Sequence, residues 1–470
     1  MRLLTNINNI NEELTLIYNI FADKIGKKCV DTEVNVLEYH DNDNIAITLM
    51  VDGKNKNIET FGYKVERNET TSKYIKRYAK IVLYKYLSKI TRYKAPWGAL
   101  TGVRPTKIYY ELLNKLGGNI DLVMSEMQRL FLVSKEKINQ LRLIANEQSV
   151  VKYDHNSIDL YINIPFCTSK CYYCSFISMP LNKCQNMVEP YIEALTKEIK
   201  ATLQFLQSRK MTVNTIYFGG GTPTAIGRDN LEKLLNVLPK SVKELTVEAG
   251  RPDTIDNEML AMLDSHGVSR ISINPQTFKD ETLKLIGRNH TADDVVDVYR
   301  LARKYHFVIN MDLIAGLGNE KLKDFKYTLN KTIGLYPDNI TVHTLSIKRA
   351  STLKSDGGKT SNIHEVERMV KYSIANLAKN GYKPYYLYRQ KNMLGNLENT
   401  GYCRDGKICE FNINSMEETL SVIACGANAI SKKIDYAKNR IDRHANVKNI
   451  QEYISRIDEM IQKKLDLFDK

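Results

Sequence analysis

Three cysteines, Cys167, Cys171 and Cys174, fall within eight residues of the stretch YINIPFCTSKCYYCSF. Three and then two residues separate them, and they follow directly on a strand-like apolar run. Iron–sulfur clusters are held by Cys thiolates, and an ordinary four-iron cluster has four of them. Three thiolates wrapped around one corner leave one iron open to a ligand that is not protein. Structural zinc wants a fourth Cys or His at matching spacing, and the next cysteine, Cys184, stands ten residues beyond Cys174. A group of buried thiols without metal is the third reading. Eight cysteines in 470 residues are too sparse for a disulfide scaffold, so a reducing compartment is expected.

Further polar positions stand where later strand-like runs end. Gly219-Gly220-Gly221-Thr222-Pro223 follows the second run, and backbone without side chains can approach a cofactor closely. Glu248 ends the third run in LTVEAGRP and is suited to accept from a ribose hydroxyl or an ammonium group. Gln276 follows the fourth run, Arg288 lies twelve residues later, and Asp312 sits on the fifth. Singly, each reads as a satisfied structural polar group. Jointly, at successive strand ends, they read as one site. Cys403 and Cys409 flank RDGKI and suit either an auxiliary centre or structural thiols. His290 and His343 could meet haem or a propionate, although an isolated histidine is more often a hydrogen-bonded packing residue. Arg104 and Lys107 either contact an anion or belong to a helix start after Pro105.

The CxxxCxxC spacing after a strand, with an aromatic residue before the last Cys, resembles the signature of the radical S-adenosylmethionine (SAM) superfamily. That resemblance implies a [4Fe-4S] cluster whose open iron is chelated by the amino and carboxylate groups of S-adenosylmethionine. One electron from the cluster then breaks the sulfur–carbon bond and yields a 5'-deoxyadenosyl radical, chemistry carried by the cofactor. From Ile158 to Ser431 the residues resemble the oxygen-independent coproporphyrinogen III oxidase family. They are most similar to its HemZ-type branch, through the segments Trp97 to Lys107 and Tyr388 to Asn399. By that resemblance Tyr161, Gly219, Gly220, Gly221 and Thr222 lie against a first S-adenosylmethionine, Glu248 holds its polar end and Ile430 packs near it. Gln276, Arg288 and Asp312 match contacts to a second one, and the resemblance implies catalytic roles for Tyr161, Glu248 and Arg288. The implied reaction is oxidative decarboxylation of two propionates of coproporphyrinogen III to vinyls, with a flavodoxin- or ferredoxin-type electron donor. Two departures stand out: Phe176 where the oxidases have a fourth Cys, which haem-chaperone relatives share, and Asn163 where they have His. A haem-binding or haem-transfer protein is therefore the alternative. An RNA-modifying radical SAM enzyme is a second alternative, although no RNA-binding module is visible.

The elements that must position these residues form an α/β chain, expected as an incomplete parallel (β/α) barrel with smaller α+β pieces on either side. Residues 1–95 read as an N-terminal α+β domain. Its helix carries Leu14, Tyr18, Phe21 and Ile25, and strand-like runs lie near Val34, Ile45 to Val51 and Ile58 to Val65, with a turn at Asp52-Gly53. A helix from Thr71 to Ile90 carries Tyr74, Tyr78, Val82, Tyr86 and Ile90 at every fourth position. Residues 96–150 form a helical connector, 151–380 the barrel and 381–470 a C-terminal module ending in a helix near Leu467. The barrel strands are expected at Ile158 to Ile164, Val213 to Phe218, Glu244 to Glu248, Val268 to Ile273, Phe307 to Ile314 and Ile340 to Ile347. Between them lie helices such as Val188 to Leu206, Leu231 to Leu238 and Asp293 to Tyr305.

Lys+Arg of 68 against Asp+Glu of 54 leaves a formal charge of +14. It is spread along the chain and suits either a solvated Lys-rich surface or an acidic partner such as a polycarboxylate. The start MRLLTNINNINEELTL has no secretory pattern and no apolar run is long enough to span a bilayer, so a cytoplasmic protein without a membrane span is expected.

Overall fold

The structure, a computed structural model, describes residues 2–22, 33–41, 44–52, 54–61, 69–101, 104–174, 178–346, 361–390, 393–438 and 440–469. Ile25, Gly53, Val65, Phe176 and Ile347 lie outside them, as do Gly102 and Val103 of the Trp97 segment and Lys391 and Asn392 of the Tyr388 segment. The chain forms two compact units, Met1–Arg142 with Gly395–Leu397, and Leu143–Leu394 with Glu398–Lys470.

In the first unit β1 (Arg2–Thr5), β2 (Glu33–Asp41), β3 (Asn44–Val51) and β4 (Lys54–Phe61) form one sheet in that order, β1 and β2 parallel and the rest antiparallel. Val34 and Val36 of β2 and Ile47 and Leu49 of β3 alternate into the core, where Leu14, Ile17 and Phe21 of the helix Asn11–Phe21 are buried. The helix Glu69–Thr91 buries Tyr78, Val82, Leu83 and Leu87, whereas Ile90, expected on the same stripe, is 40% exposed. A strict four-residue repeat drifts by about 40° per step around a 3.6-residue helix, so its far end leaves the core.

The second unit is built on an eleven-stranded sheet among the described residues. Its strands are β5 (Ser157–Ile164), β8 (Thr212–Gly220), β9 (Glu244–Val247), β10 (Arg270–Ser272), β11 (Val308–Ala315), β12 (Asn339–Thr344), β13 (Lys383–Tyr388), β14 (Asn399–Cys403), β15 (Val422–Cys425), β16 (Ile430–Asp435) and β17 (Arg440–Ala445). The short β6 (Phe166–Cys167) and β7 (Met179–Pro180) pair separately. The order is β13-β14-β12-β11-β10-β9-β8-β5-β15-β16-β17, and the run from β12 to β15 is parallel throughout. All six barrel strands expected from the sequence are present. The strands of residues 381–470 do not make a sheet of their own: β13 and β14 extend one edge, and β15 lies parallel against β5, so that Val422 faces Asp159 and Cys425 faces Ile162.

Side-chain alternation shows which way the sheet curls. Ile158, Leu160, Ile162 and Ile164 of β5, with Ile216 and Phe218 of β8, belong to a large apolar core that also holds Tyr191, Leu195 and Ile199 of the helix Gln185–Ser208. The intervening residues Asp159, Tyr161, Thr215 and Tyr217 point the other way. Phe411, on the helix Glu410–Glu417, stacks on Tyr217 with ring centroids 4.5 Å apart and on Tyr161 at 6.1 Å, and shares a cluster with Tyr386 of the far-edge strand β13. Strands distant in sheet order thus share one interior, which the helix Glu410–Glu417 partly fills. Among the described residues no helix is long and apolar enough to cross a membrane.

Candidate functional site

The cysteine loop leaves β5 through β6 and is anchored by backbone and side-chain hydrogen bonds. Tyr172 N donates to Ile286 O at 3.0 Å, Ser169 Oγ to Gly287 O at 3.0 Å and Cys174 N to Cys171 O at 3.0 Å. Cys167, Cys171 and Cys174 all line one cavity of about 350 Å³, which opens at the C-terminal ends of the parallel strands. Burial pushes the Cys167 thiol up, against the hydroxyl of Thr222, whose Oγ1 stands 3.4 Å from Cys167 Sγ. Arg251 brings a guanidinium nitrogen to 3.7 Å from Cys171 Sγ while donating to Ser169 Oγ and to both oxygens of Asp253.

The glycine-rich turn at the end of β8 closes on the same loop. Gly221 N donates to Ile164 O at 2.8 Å and Thr222 N to Phe166 O at 2.7 Å. A Cβ on Gly221 would stand 2.3 Å from Phe166 O and 3.0 Å from Cys167 Sγ, and one on Gly220, whose φ is +110°, would stand 2.3 Å from Asn163 Oδ1. These glycines are therefore fixed by the approach of one strand end to the cysteine loop. Gly220, Gly221 and Thr222 line the cavity, whereas Gly219 is packed between the rings of Tyr161 and Tyr217.

Glu248, just past β9, accepts from Tyr217 OH at 2.6 Å. Burial raises its pKa to about 7, with the charge of Asp312 adding to the shift and Tyr217 and His343 opposing it. Gln276 has a positive φ of 64°, is held by its backbone N to Asp312 O at 2.9 Å, and leaves its buried Oε1 without a partner. Arg288 is buried and largely engaged, donating to Asn274 O at 2.6 Å, to Gly250 O at 3.3 Å and to Tyr173 OH at 3.3 Å; only its Nε lacks a partner. Asp312 accepts from Asn310 Nδ2 at 2.7 Å and lies 3.6 Å from His343 Nε2. Burial works against its charge, but His343 and Asn310 outweigh it and hold the carboxyl below its usual range.

The structure thus brings Cys167, Cys171, Cys174, Gly220, Gly221, Thr222, Glu248, Gln276, Arg288 and Asp312 to one cavity. Tyr161 is not among the lining residues: its ring stacks on Phe411 and its OH donates to Asn163 Oδ1 at 3.2 Å. Ile430 opens β16, is 48% exposed, and is not among them either. His290 is buried beside Arg288 and Arg251 rather than at the cavity, and its pKa falls to about 4 through burial and those two charges. Cys403 and Cys409 lie buried away from the cavity, Cys409 donating to Glu244. Sequence reasoning missed Arg251, Tyr173 and Tyr217. Arg251 carried a usable signal, since it follows Glu248 within the same strand-end turn; the tyrosines carried none that separates them from core.

Fold and site define a radical SAM protein, and residues 161–332 match the Radical SAM superfamily. The whole chain is 36% identical, across 486 aligned positions that cover 95% of the relative, to the oxygen-independent coproporphyrinogen-III oxidase-like protein HemZ of Bacillus subtilis (strain 168). The chain belongs to that HemZ-type, coproporphyrinogen-oxidase-like family. It is also 34% identical over 195 residues, 40% of its length and 50% of the relative's, to the heme chaperone HemW of the same strain. The structure of coproporphyrinogen III oxidase (HemN) from Escherichia coli shares the fold, with a TM-score of 0.53 and 22% identity over 67% of this chain and 73% of that one.

Radical SAM proteins use a [4Fe-4S] cluster and S-adenosylmethionine. The residues present fit both groups. Three thiols of one loop face a shared cavity beside the cations Arg251 and Arg288, as an anionic sulfur cluster requires, and the unpartnered Gln276 Oε1 and Arg288 Nε offer polar atoms to a ligand.

Proposed function

We propose that the protein acts on a tetrapyrrole by radical chemistry, as an oxygen-independent coproporphyrinogen III oxidase that converts two propionates to vinyls. The observation that carries this reading is the single cavity shared by the cysteine loop, the Glu248 strand end and the Gln276–Arg288–Asp312 wall, which suits a cofactor at one side and a substrate at the other. Cys167, Cys171 and Cys174 would hold the cluster, and Gly220, Thr222 and Glu248 would receive S-adenosylmethionine. When bound, these groups together supply one-electron cleavage and hydrogen-atom abstraction. The protein's own part is placement: Arg251 and Arg288 pin the cysteine loop against the strand ends, and Tyr217 fixes the Glu248 carboxylate. Gln276 Oε1 and Arg288 Nε are the places for a second S-adenosylmethionine.

The alternative is haem transfer without decarboxylation, favoured by the HemW relative and by Phe176 at the position of the oxidases' fourth cysteine. Anaerobic incubation of iron-reconstituted protein with coproporphyrinogen III, S-adenosylmethionine and dithionite separates the two. Loss of two CO₂ per tetrapyrrole, read by mass, is the expected outcome. Cofactor cleavage to 5'-deoxyadenosine with the tetrapyrrole unchanged would remove the oxidase reading.

A further inference from the structure

On β12 Thr341, His343 and Thr344 line the cavity, followed by Leu345 and Ser346 just beyond the strand, so His343 lies on the cavity's wall. Its side chain is 25% exposed and its Nε2 stands 3.6 Å from Asp312 Oδ2, an ion-pair distance. The other oxygen of Asp312 is taken by Asn310 Nδ2 at 2.7 Å, so the carboxylate is fixed and the imidazole is oriented by it. That arrangement leaves Nδ1 on the side of the ring away from Asp312. A histidine whose one nitrogen is committed to a carboxylate presents the other in a defined direction.

The surroundings say what the ring would meet. The cavity wall contributed by β13 carries Tyr386 and Tyr388, whose rings lie 6° from parallel with centroids 6.3 Å apart, and Met416 lines the same cavity. Flat aromatic faces and a thioether favour a flat apolar ring system. The two buried arginines of the cavity are occupied with backbone carbonyls, Asp253 and the cysteine loop. His343 is the cavity-lining basic group that stands apart from that machinery.

We infer that His343 receives a carboxylate of the tetrapyrrole, with Asp312 as the positioning residue that orients its ring. This rests on the tetrapyrrole reading above and names the group that would recognise the substrate's acid side chain. A doubly protonated imidazole carries a donor on each nitrogen, so Nε2 can face Asp312 while Nδ1 donates to a ligand carboxylate.

The test uses the iron-reconstituted protein and coproporphyrin III, a coloured, stable analogue, with its tetramethyl ester as the same ring without charge. Binding is read from the porphyrin absorbance and needs no turnover. Wild type should prefer the acid to the ester, and His343→Gln should weaken the acid on the order of tenfold to a hundredfold while changing the ester little. Iron content equal to wild type shows that the variant has folded, and His343→Asn serves as a second variant of similar shape. Equal weakening of acid and ester, or none of either, would overturn the role of His343 while leaving the tetrapyrrole reading intact. Failure of wild type to bind either porphyrin would overturn both.

Discussion

Gly221 is constrained by protein, since the nearest atoms to a Cβ there are the backbone carbonyl of Phe166 and the sulfur of Cys167. Contacts of 2.3 Å to backbone cannot be relieved by rotating a side chain, so even a methyl group must push β6 away from the end of β8. The loop carrying Cys171 and Cys174 starts there. Gly221→Ala should therefore lower iron content after anaerobic reconstitution towards the level of Cys167→Ala, although every cysteine is retained, whereas Cys184→Ala should load normally. Normal loading of Gly221→Ala would show that the strand ends yield more easily than their contacts suggest. Arg288 carries a similar lesson. Its charge was legible as a ligand for a second cofactor, but most of its donors are spent on Asn274 O, Gly250 O and Tyr173, which makes it a brace for the cysteine loop as well.

The paired strands β5 and β8 turn alternate residues towards an interior that is polar at its base. There Asp159 is wholly buried and accepts from Thr215 Oγ1 at 2.7 Å, Asn214 Nδ2 at 3.0 Å and Asn414 Nδ2 at 2.9 Å. Burial outweighs these donors and raises its pKa from 3.8 to about 6. A carboxyl whose folded pKa is raised gives stability that is complete at low pH and lost as pH rises from about 4 through about 6. For a shift of this size the loss is on the order of 3 kcal/mol. Asp159→Asn cannot titrate. Its melting temperature should fall furthest below wild type near pH 4, and the gap should narrow by pH 7; a gap independent of pH would mean that Asp159 is ionised throughout. The six barrel strands were legible because parallel strands covered by helices read as near-continuous apolar runs. Nothing in VIAC says that β15 returns to lie parallel beside β5. The helix Glu410–Glu417 went unseen because it is short and buries Glu410 and Asn414 alongside Phe411 and Ile413, which erases an apolar stripe. The site residues at strand ends could be found from chemistry and spacing. Tyr217, Tyr386 and His343 came together only through the curl of the sheet.

Across the second unit, the last helix (Ile457–Asp469) is tied to the cysteine loop through a buried charge. Lys464 Nζ and Glu198 Oε1 pair at 2.8 Å with both side chains fully buried, and Lys464 also lies 3.2 Å from Cys425 Sγ. Glu198 accepts three more hydrogen bonds, from Asn446 Nδ2 at 2.8 Å, Tyr453 OH at 2.6 Å and Gly426 N at 2.7 Å. Next to Gly426, Ala427 O accepts from Asn163 Nδ2 at 2.7 Å, and Tyr191 OH bonds both Ala427 N and Asn163 O. Asn163 is on β5, four residues before Cys167. Replacing a buried pair by apolar groups can be neutral, but removing one partner leaves an uncompensated charge and costs about 3–5 kcal/mol. Lys464→Met should therefore lower the melting temperature markedly and also reduce iron loading, because Glu198 must either take up a proton or draw in water and so loosen its hold on Gly426. Lys464→Met combined with Glu198→Gln removes the stranded charge and should recover part of both losses, which a general weakening of the last helix would not allow. Iron content and melting temperature measured together on the single and double variants decide the matter. A single variant that melts early yet loads iron fully would confine this network to stability and cut its link to the cysteine loop.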